Sequence, residues 1–255
     1  MITCILPMAG AGSRFTQAGF ALPKYAIRAA GQPLLVHALR SLPLQRVDRL
    51  VLVAQRSAAA QTDPLALLPP ELARRVSALE LIDGLTGGQG ETVLAAQAHI
   101  DERPLLIYNC DTAFHSPTLA DLLTDPARSH DGVLGSFAGQ GSHWSFARLD
   151  PQGRVLETAE KQRISPHCLT GLYHFQRGSD FLEVARPACA AARAARAAGA
   201  TDTPEVYVAP LYNALIARGR HFVLDPVARF WPLGTPAELA ETEARWLEEA
   251  PPCAA

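Results

Sequence analysis

Four short apolar runs, near residues 2 to 8, 48 to 54, 77 to 82 and 104 to 109, alternate with helical patterns near 33 to 42, 64 to 75 and 89 to 101. Runs that are apolar throughout, rather than at every second position, belong to strands buried on both faces. Their alternation with helices predicts an α/β fold whose mostly parallel sheet is covered on both sides. From about 132 to 176 the order changes to successive strands at 132–137, 144–149, 155–158 and 169–175, joined by turns such as Pro151-Gln152-Gly153. That change predicts a mixed sheet. Helical patterns return at 180–199, 205–218 and 236–249. The first of these is rich in Ala and Arg, contains Pro187, and reads as a surface helix with no assigned function. The terminal PPCAA is expected to be disordered.

At 255 residues the chain is long enough for one large domain, expected over 1–250, with halves at 1–130 and 131–250 and a tail at 251–255. A formal net charge of −2 offers no broad basic surface, which argues against nucleic acid as a partner. The cysteines Cys4, Cys110, Cys168, Cys189 and Cys253 are scattered and contain no CxxC, so neither a disulfide framework nor a zinc site is indicated. Reduced thiols fit a cytoplasmic protein. No apolar run approaches the length of a membrane span, and the N-terminus lacks the basic region and cleavage site of a leader.

The stretch LPMAGAGSRFTQAGFALPK, residues 6 to 24, carries the first chemistry. An apolar run ends in a turn where Gly10 and Gly12 let backbone N–H groups face an anion, and two cations follow, Arg14 and Lys24. Taken alone, GxG fits an ordinary strand-to-helix connection just as well. No GxxxxGK[ST] loop exists in the chain. The dinucleotide pattern GxGxxG fails at Phe15, and the strand ending near Ala54 runs into Gln55 and Arg56 without an acidic residue, which weakens a dinucleotide fold while leaving Arg56 able to accept a 2′-phosphate. The connection from Gly12 to a helix expected near Pro33 is long, and long ordered loops are commonly functional.

Asp111 closes the apolar run PLLIYNCD. An ionised carboxylate at the end of a buried strand is costly unless it is paired, hydrogen-bonded or bound to a cation. An Asx turn or a helix cap is the other reading. Gly87-Gly88-Gln89-Gly90-Glu91-Thr92 opens a helix, where small residues admit a flat ring or simply form a turn. Glu160-Lys161 is a charge pair after a strand, and no histidine lies in HExxH or another metal spacing.

Taken in order, these segments resemble the sugar-phosphate nucleotidyltransferases, whose pattern L-x-x-G-x-G-[ST]-R followed about ten residues later by P-K is matched by Leu6, Gly10, Gly12, Ser13, Arg14, Pro23 and Lys24. The variant PMAGxGSRF is most similar to nucleotidyltransferase-like proteins of bacterial capsule and surface-polysaccharide loci. Glu160-Lys161 resembles the family's [VA]-E-K, Thr170 to Phe175 its [ST]-G-x-Y-x-F, and Glu205 to Asn213 the capsule-locus E-x-Y-x-x-P-x-Y-N.

The resemblance implies a three-layer, Rossmann-like nucleotidyltransferase fold and transfer of a nucleoside monophosphate from a nucleoside triphosphate to a sugar phosphate. It implies that Ala9, Gly10, Ala11, Gly12 and Ser13 hold the triphosphate while Arg14 and Lys24 act in catalysis. Gly88 and Gly90 would contact the base, Asp111 would bind the nucleotide's Mg²⁺, and Lys161 would hold the sugar phosphate. Glu160 and Gly171 would face the sugar. Tyr207, Tyr212 and Asn213 would face the acceptor, with the core as the other reading for aromatic residues at helical spacing. One departure stands out, because FWPLGT has Pro232 where the family's W-x-D-x-G-T carries a second metal-binding aspartate. This departure leaves three readings open: Asp225 as a substitute ligand, a Mg²⁺ that keeps more water, or a protein with altered activity. A glycosyltransferase using a preformed nucleotide sugar and a non-catalytic nucleotide-sugar binder remain open alternatives. A homo-oligomer is equally open.

Overall fold

The computed structural model describes residues 1–124 and 129–248. A nine-stranded mixed sheet forms its centre. Ile2–Pro7 pairs in parallel with Val47–Gln55 and with Leu105–Tyr108, and Val47–Gln55 pairs in parallel with Val76–Ile82. The four apolar runs are therefore neighbours. His167–Phe175 then runs antiparallel to Leu105–Tyr108, and Ser145–Leu149 and Val155–Glu160 continue that edge. Gly132–Ala138 also pairs with His167–Phe175 and carries Phe222–Pro226 as a parallel neighbour.

Successive side chains of a strand point to opposite faces, so each buried strand must feed two cores. Ile5, Val51, Val53 and Ile107 enter one core, with residues of helices Gln89–Ala95 and Gly178–Ala197. Cys4, Leu6, Leu50, Leu52 and Leu106 enter the other, with Leu35, Val36 and Leu39 of helix Leu34–Ser41. Removing one such aliphatic side chain from water is worth about 1.5–3 kcal/mol, which is why these runs have no polar alternation.

A third, smaller core positions the site. Phe15, Ile27 and Leu34 from the long first connection pack with Trp231, Leu233, Leu239 and Trp246 from the C-terminal segment. The glycine loop and helix Pro236–Glu248 are thereby held against each other.

Several elements differ from the sequence reading. The long connection is ordered by the helix Ser13–Gln17 and a 3-10 turn at Lys24–Ala26, and it contains a small hairpin, Arg28–Ala29 with Gln32–Pro33. The helix expected over 64–75 is reduced to Pro70–Ala73, with a separate helix at Arg56–Gln61. Pro64, Pro69 and Pro70 remove amide donors and push their preceding residues out of helical geometry. The helix expected over 205–218 begins only at the 3-10 turn Ala209–Leu211 and continues as Tyr212–Ile216. A two-stranded antiparallel sheet, Thr112–His115 with Arg229–Pro232, was not evident from pattern. The 250–255 segment and the end of the last helix at 249 lie outside the described residues. Among the described residues, no helix is long and apolar enough to cross a membrane, and Cys4, Cys110, Cys168 and Cys189 are free and buried.

Candidate active site

The glycine loop follows Ile2–Pro7 and Asp111 follows Leu105–Tyr108, so both stand at the carboxyl ends of adjacent parallel strands, where open α/β sheets bind ligands. Two adjoining cavities open there, the first of about 390 Å³, and they share Lys24, Asn109, Asp111, Glu160, Glu205 and Tyr207 as a common wall. Ala9, Gly10, Ala11, Gly88 and Gln89 line the first. Gly12, Ser13, Arg14, Lys161 and Glu238 line the second.

The amides of Ala9, Gly10, Ala11 and Gly12 have no acceptor among the described residues, while the Ala9 carbonyl accepts from Gln55 Nε2 at 2.8 Å. The loop is thus fixed through its carbonyl and leaves its donors free. Gly12 has φ +61°, a left-handed conformation that starts the helix Ser13–Gln17 and favours glycine. Arg14 lies on that helix, exposed, and its guanidinium has no hydrogen bond or ion pair among the described residues.

Lys24 lies at the start of the 3-10 turn and forms an ion pair with Asp111. Burial works against the ammonium charge, but the carboxylate of Asp111 outweighs it and holds the Lys24 pKa above its ordinary value. Lys24 therefore stays charged throughout the neutral range. Burial, reinforced by the Asp111 charge, pushes the neighbouring Cys110 thiol up to about 12, so it remains protonated and cannot stand in as a second acid.

On the opposite wall Lys161 adopts φ +54°, a conformation costing a non-glycine residue about 1–3 kcal/mol. Its amide donates to the Trp144 carbonyl at 2.9 Å and its Nζ to the Tyr207 hydroxyl at 2.6 Å. Strain of this kind persists where the surroundings impose it, and here it aims an ammonium into the second cavity. Glu160 accepts from Ser145 Oγ, which lies 3.3 Å from the Tyr173 hydroxyl. Burial raises the Glu160 pKa against the opposing effects of Ser145 and Lys161.

The glycines of the 87–90 loop serve a purpose that the sequence did not show. Val206 donates to the Gly87 carbonyl and accepts from the Gly90 amide, both at 2.8 Å. A Cβ on Gly88, where φ is +123°, would lie 2.6 Å from the Val206 nitrogen. Gly90 is buried against Val206 and does not line the cavity, whereas Gly88 does. These glycines admit a protein backbone, and that bridge explains why 205–207 is not helical. The Ala- and Arg-rich helix also reaches this loop: Arg193 pairs with Glu91 at 2.5 Å, and Arg196 donates to the Gly87 carbonyl at 3.2 Å. Composition alone gave that helix no role.

Gly171 is likewise reassigned. Its φ is +86°, and a Cβ there would lie 2.1 Å from Asn109 Nδ2, so the space expected for a sugar is taken by Asn109. Asn109 Oδ1 in turn accepts from Gln89 Nε2 at 2.5 Å. Ser145, outside every motif segment, also lines the site, as do Gln89, Asn109, Tyr173 and Glu205, which the motif segments contain without a role of their own.

Three residues lie elsewhere. Asp225 is fully buried on Phe222–Pro226, lines neither cavity, and accepts from Ser116 Oγ at 2.9 Å and Thr118 Oγ1 at 2.6 Å. It fastens that loop to the sheet and is not placed to substitute for the missing aspartate. Tyr212 is buried and donates to the His174 carbonyl at 3.1 Å. Asn213 pairs with both backbone groups of Thr158 at 2.8 Å and so anchors the strand leading to Glu160.

Pro232 is paired with Thr112 beside Asp111, and the next amide, Leu233, donates to the Asp111 carbonyl at 3.0 Å. Gly234 then leaves a space. A Cβ on it would sit 3.2 Å from Asp111 Oδ2 and 3.1 Å from Glu238 Oε2. Carboxylate oxygens bordering such a space fit a hard divalent cation, which takes few protein ligands and completes its shell with water and phosphate.

The MobA-like NTP transferase domain matches residues 4–194. A crystal structure of the nucleoside-diphosphate-sugar pyrophosphorylase from Vibrio cholerae is 31% identical, with 96% of this chain and 100% of that chain covered and a TM-score of 0.76. The UDP-glucose pyrophosphorylase from Acinetobacter baumanii shares the fold at 15% identity, covering 98% and 95% of the two chains with a TM-score of 0.71. A UDP-glucose pyrophosphorylase complexed with UDP-glucose does so at 15% identity, covering 98% and 100% with a TM-score of 0.75. Among curated protein sequences none matches. The sheet order, the site at the ends of its central strands and these matches agree that the chain belongs to the MobA-like NTP transferase domain family and is a nucleotidyltransferase.

Proposed function

We propose that the chain transfers a nucleoside monophosphate from a nucleoside triphosphate to a sugar phosphate, or to a similar phosphorylated small molecule, with release of pyrophosphate. The observation that carries this reading is one cleft with cations on two sides: Arg14 and Lys24 beside free amides, and Lys161 opposite. Two phosphorylated substrates need that separation. The nucleotide lies on the 1–130 half and the acceptor on the 131–250 half, within a single domain.

An acceptor phosphate oxygen forms a bond to the α-phosphorus as the bond from that phosphorus to the bridging oxygen of the β-phosphate breaks, and the electron pair leaves on pyrophosphate. The acceptor is already ionised at neutral pH, so no general base is required. The work of the protein is positioning and charge neutralisation. Amides of residues 9–13 hold the triphosphate, Arg14 draws charge onto the leaving group, and Lys24 faces the α-phosphate. Lys161 holds the attacking phosphate, Glu160 accepts from a sugar hydroxyl, and Tyr207 positions Lys161. A divalent cation such as Mg²⁺ bound at Asp111 would neutralise phosphate charge and align the oxygens for in-line transfer.

The Vibrio cholerae protein's description as a nucleoside-diphosphate-sugar pyrophosphorylase supports a sugar phosphate as the acceptor. The PMAGAGSRF variant supports a role in cytoplasmic synthesis of capsule or surface-polysaccharide precursors. A panel of nucleoside triphosphates against sugar 1-phosphates, read by pyrophosphate release, tests the reading. Pyrophosphate from a single pair is the expected result. Free nucleoside diphosphate from a nucleotide sugar, with no pyrophosphate from any pair, would replace it with glycosyl transfer.

A further inference from the structure

Gly234 stands close against two carboxylates. Its φ lies outside the left-handed region, so its backbone admits any residue, yet a Cβ would come within 3.2 Å of two carboxylate oxygens and 3.8 Å of Lys24 Nζ. Those oxygens are Asp111 Oδ2 and Glu238 Oε2. Their side chains are only 18% and 17% exposed, so neither charge is well solvated.

Glu238 is also held in place. It lies in the first turn of helix Pro236–Glu248, its amide facing Thr235 Oγ1 at 3.2 Å. His143 Nε2 lies 3.5 Å from the other oxygen, Oε1, which leaves Oε2 to the Gly234 space. The helix itself is fixed through Leu239 and Trp246 in the core that contains Phe15 of the glycine loop.

At this point two carboxylates face each other across the space, and Lys24 already pairs with Asp111 Oδ2 while His143 lies beside Glu238 Oε1. A divalent cation between the oxygens would offset the repulsion of these two carboxylates toward each other and toward a triphosphate. We infer that Glu238 supplies the second carboxylate for a divalent cation shared with Asp111, across the space kept open by Gly234, where Pro232 has no side-chain oxygen to offer. The inference rests on the nucleotidyltransferase reading of the cleft. It moves the second ligand from the strand to the first turn of the following helix.

Electron paramagnetic resonance of Mn²⁺, alone and with inorganic tripolyphosphate, reads the site without turnover. Glu238→Gln is expected to weaken Mn²⁺ binding about tenfold or more in the tripolyphosphate complex, at least the loss seen when groups behind metal ligands are removed. Gly234→Ala, whose methyl group enters the space, is expected to do the same. Glu241→Gln, exposed on the same helix, leaves binding unchanged. Thermal midpoints establish that each variant is folded. Wild-type Mn²⁺ affinity in Glu238→Gln, with affinity lost in Asp111→Asn, would overturn the assignment of Glu238 alone. Wild-type affinity in both would overturn the placement of the metal as well. The expected Mn²⁺ pattern without pyrophosphate release from any substrate pair would leave the cation site standing and sink the transferase reading.

Discussion

Lys24 and Asp111 are each other's counter-ions, and their pairing joins the end of the glycine-loop connection to the end of the Leu105–Tyr108 strand. Lys24 also lies 5.8 Å from the centre of the Phe15 ring, so its position is set from below by the small core and from the side by the carboxylate. In the proposed reaction, a cation fixed in this way would meet the charge that develops on the α-phosphate without rearrangement.

Lys24→Ala is expected to lower kcat by on the order of a hundredfold or more, the cost of losing one preorganised charge-stabilising group. Arg14→Ala is expected to do likewise, through the leaving group. The Lys24 pKa is raised above 10.5, so the pair's contribution to stability is fully present below that value and is lost only as pH rises through the higher folded one. Urea unfolding of wild type and Lys24→Ala should therefore differ by the same amount at neutral and mildly alkaline pH. A difference that shrinks well below 10.5 would contradict the pairing.

Glu160 carries the opposite balance between stability and function. Its pKa is raised chiefly by burial, so the folded state binds the proton more tightly than the unfolded one, and stability falls as pH rises from 4.5 through the folded value. Glu160→Gln keeps the partner for Ser145 and cannot ionise. It should melt at or above the wild-type temperature near neutral pH, with the advantage gone below 4.5. The acceptor KM should rise about tenfold, the scale of one hydrogen bond to a charged group. A lower melting temperature at neutral pH would show that the ionised form stabilises the fold.

Gly171→Ala tests whether this glycine serves Asn109. The added methyl would meet the Asn109 amide at 2.1 Å in a backbone already at φ +86°. A loss of about 1–3 kcal/mol is expected from the conformation alone. Displacing Asn109 also frees Gln89, so the nucleotide KM should rise in steady-state assays while the acceptor KM changes little. A rise confined to the acceptor would return Gly171 to the sugar side.

The central sheet was legible because its strands are apolar on both faces, a pattern nothing else in the chain imitates. The glycine loop and Asp111 were legible because they follow those strands directly, and Lys24 because its segment resembles a known pattern. What escaped is non-local. Glu238 and Gly234 meet Asp111 only after the Thr112–His115 and Arg229–Pro232 strands pair. Gly90 and Gly171 look like ligand-facing glycines until Val206 and Asn109 are seen against them, while Gly88 both borders Val206 and lines the cavity. Asp225 is one candidate substitute in the sequence, yet its strand pairs with Gly132–Ala138 and carries it away from the cleft.

The Ala- and Arg-rich helix offers the last test, because it supports the nucleotide side without lining either cavity. Arg196 donates to the Gly87 carbonyl at 3.2 Å and lies 3.5 Å from Glu91, while Glu91 also accepts from the Gly87 amide at 2.5 Å. One hydrogen bond of this kind is worth about 1 kcal/mol net, and a half-exposed ion pair adds less. Arg196→Ala should therefore raise the nucleotide KM severalfold without altering kcat at saturating nucleotide. Val206, bonded to both Gly87 and Gly90, sits between Glu205 and Tyr207 on the common wall, so a loosened loop would also disturb Lys161 through Tyr207. The acceptor KM should consequently rise too, but by a smaller factor. An effect on the acceptor equal to or larger than that on the nucleotide would mean that the helix steadies the Glu205–Tyr207 segment directly, rather than through the 87–90 loop.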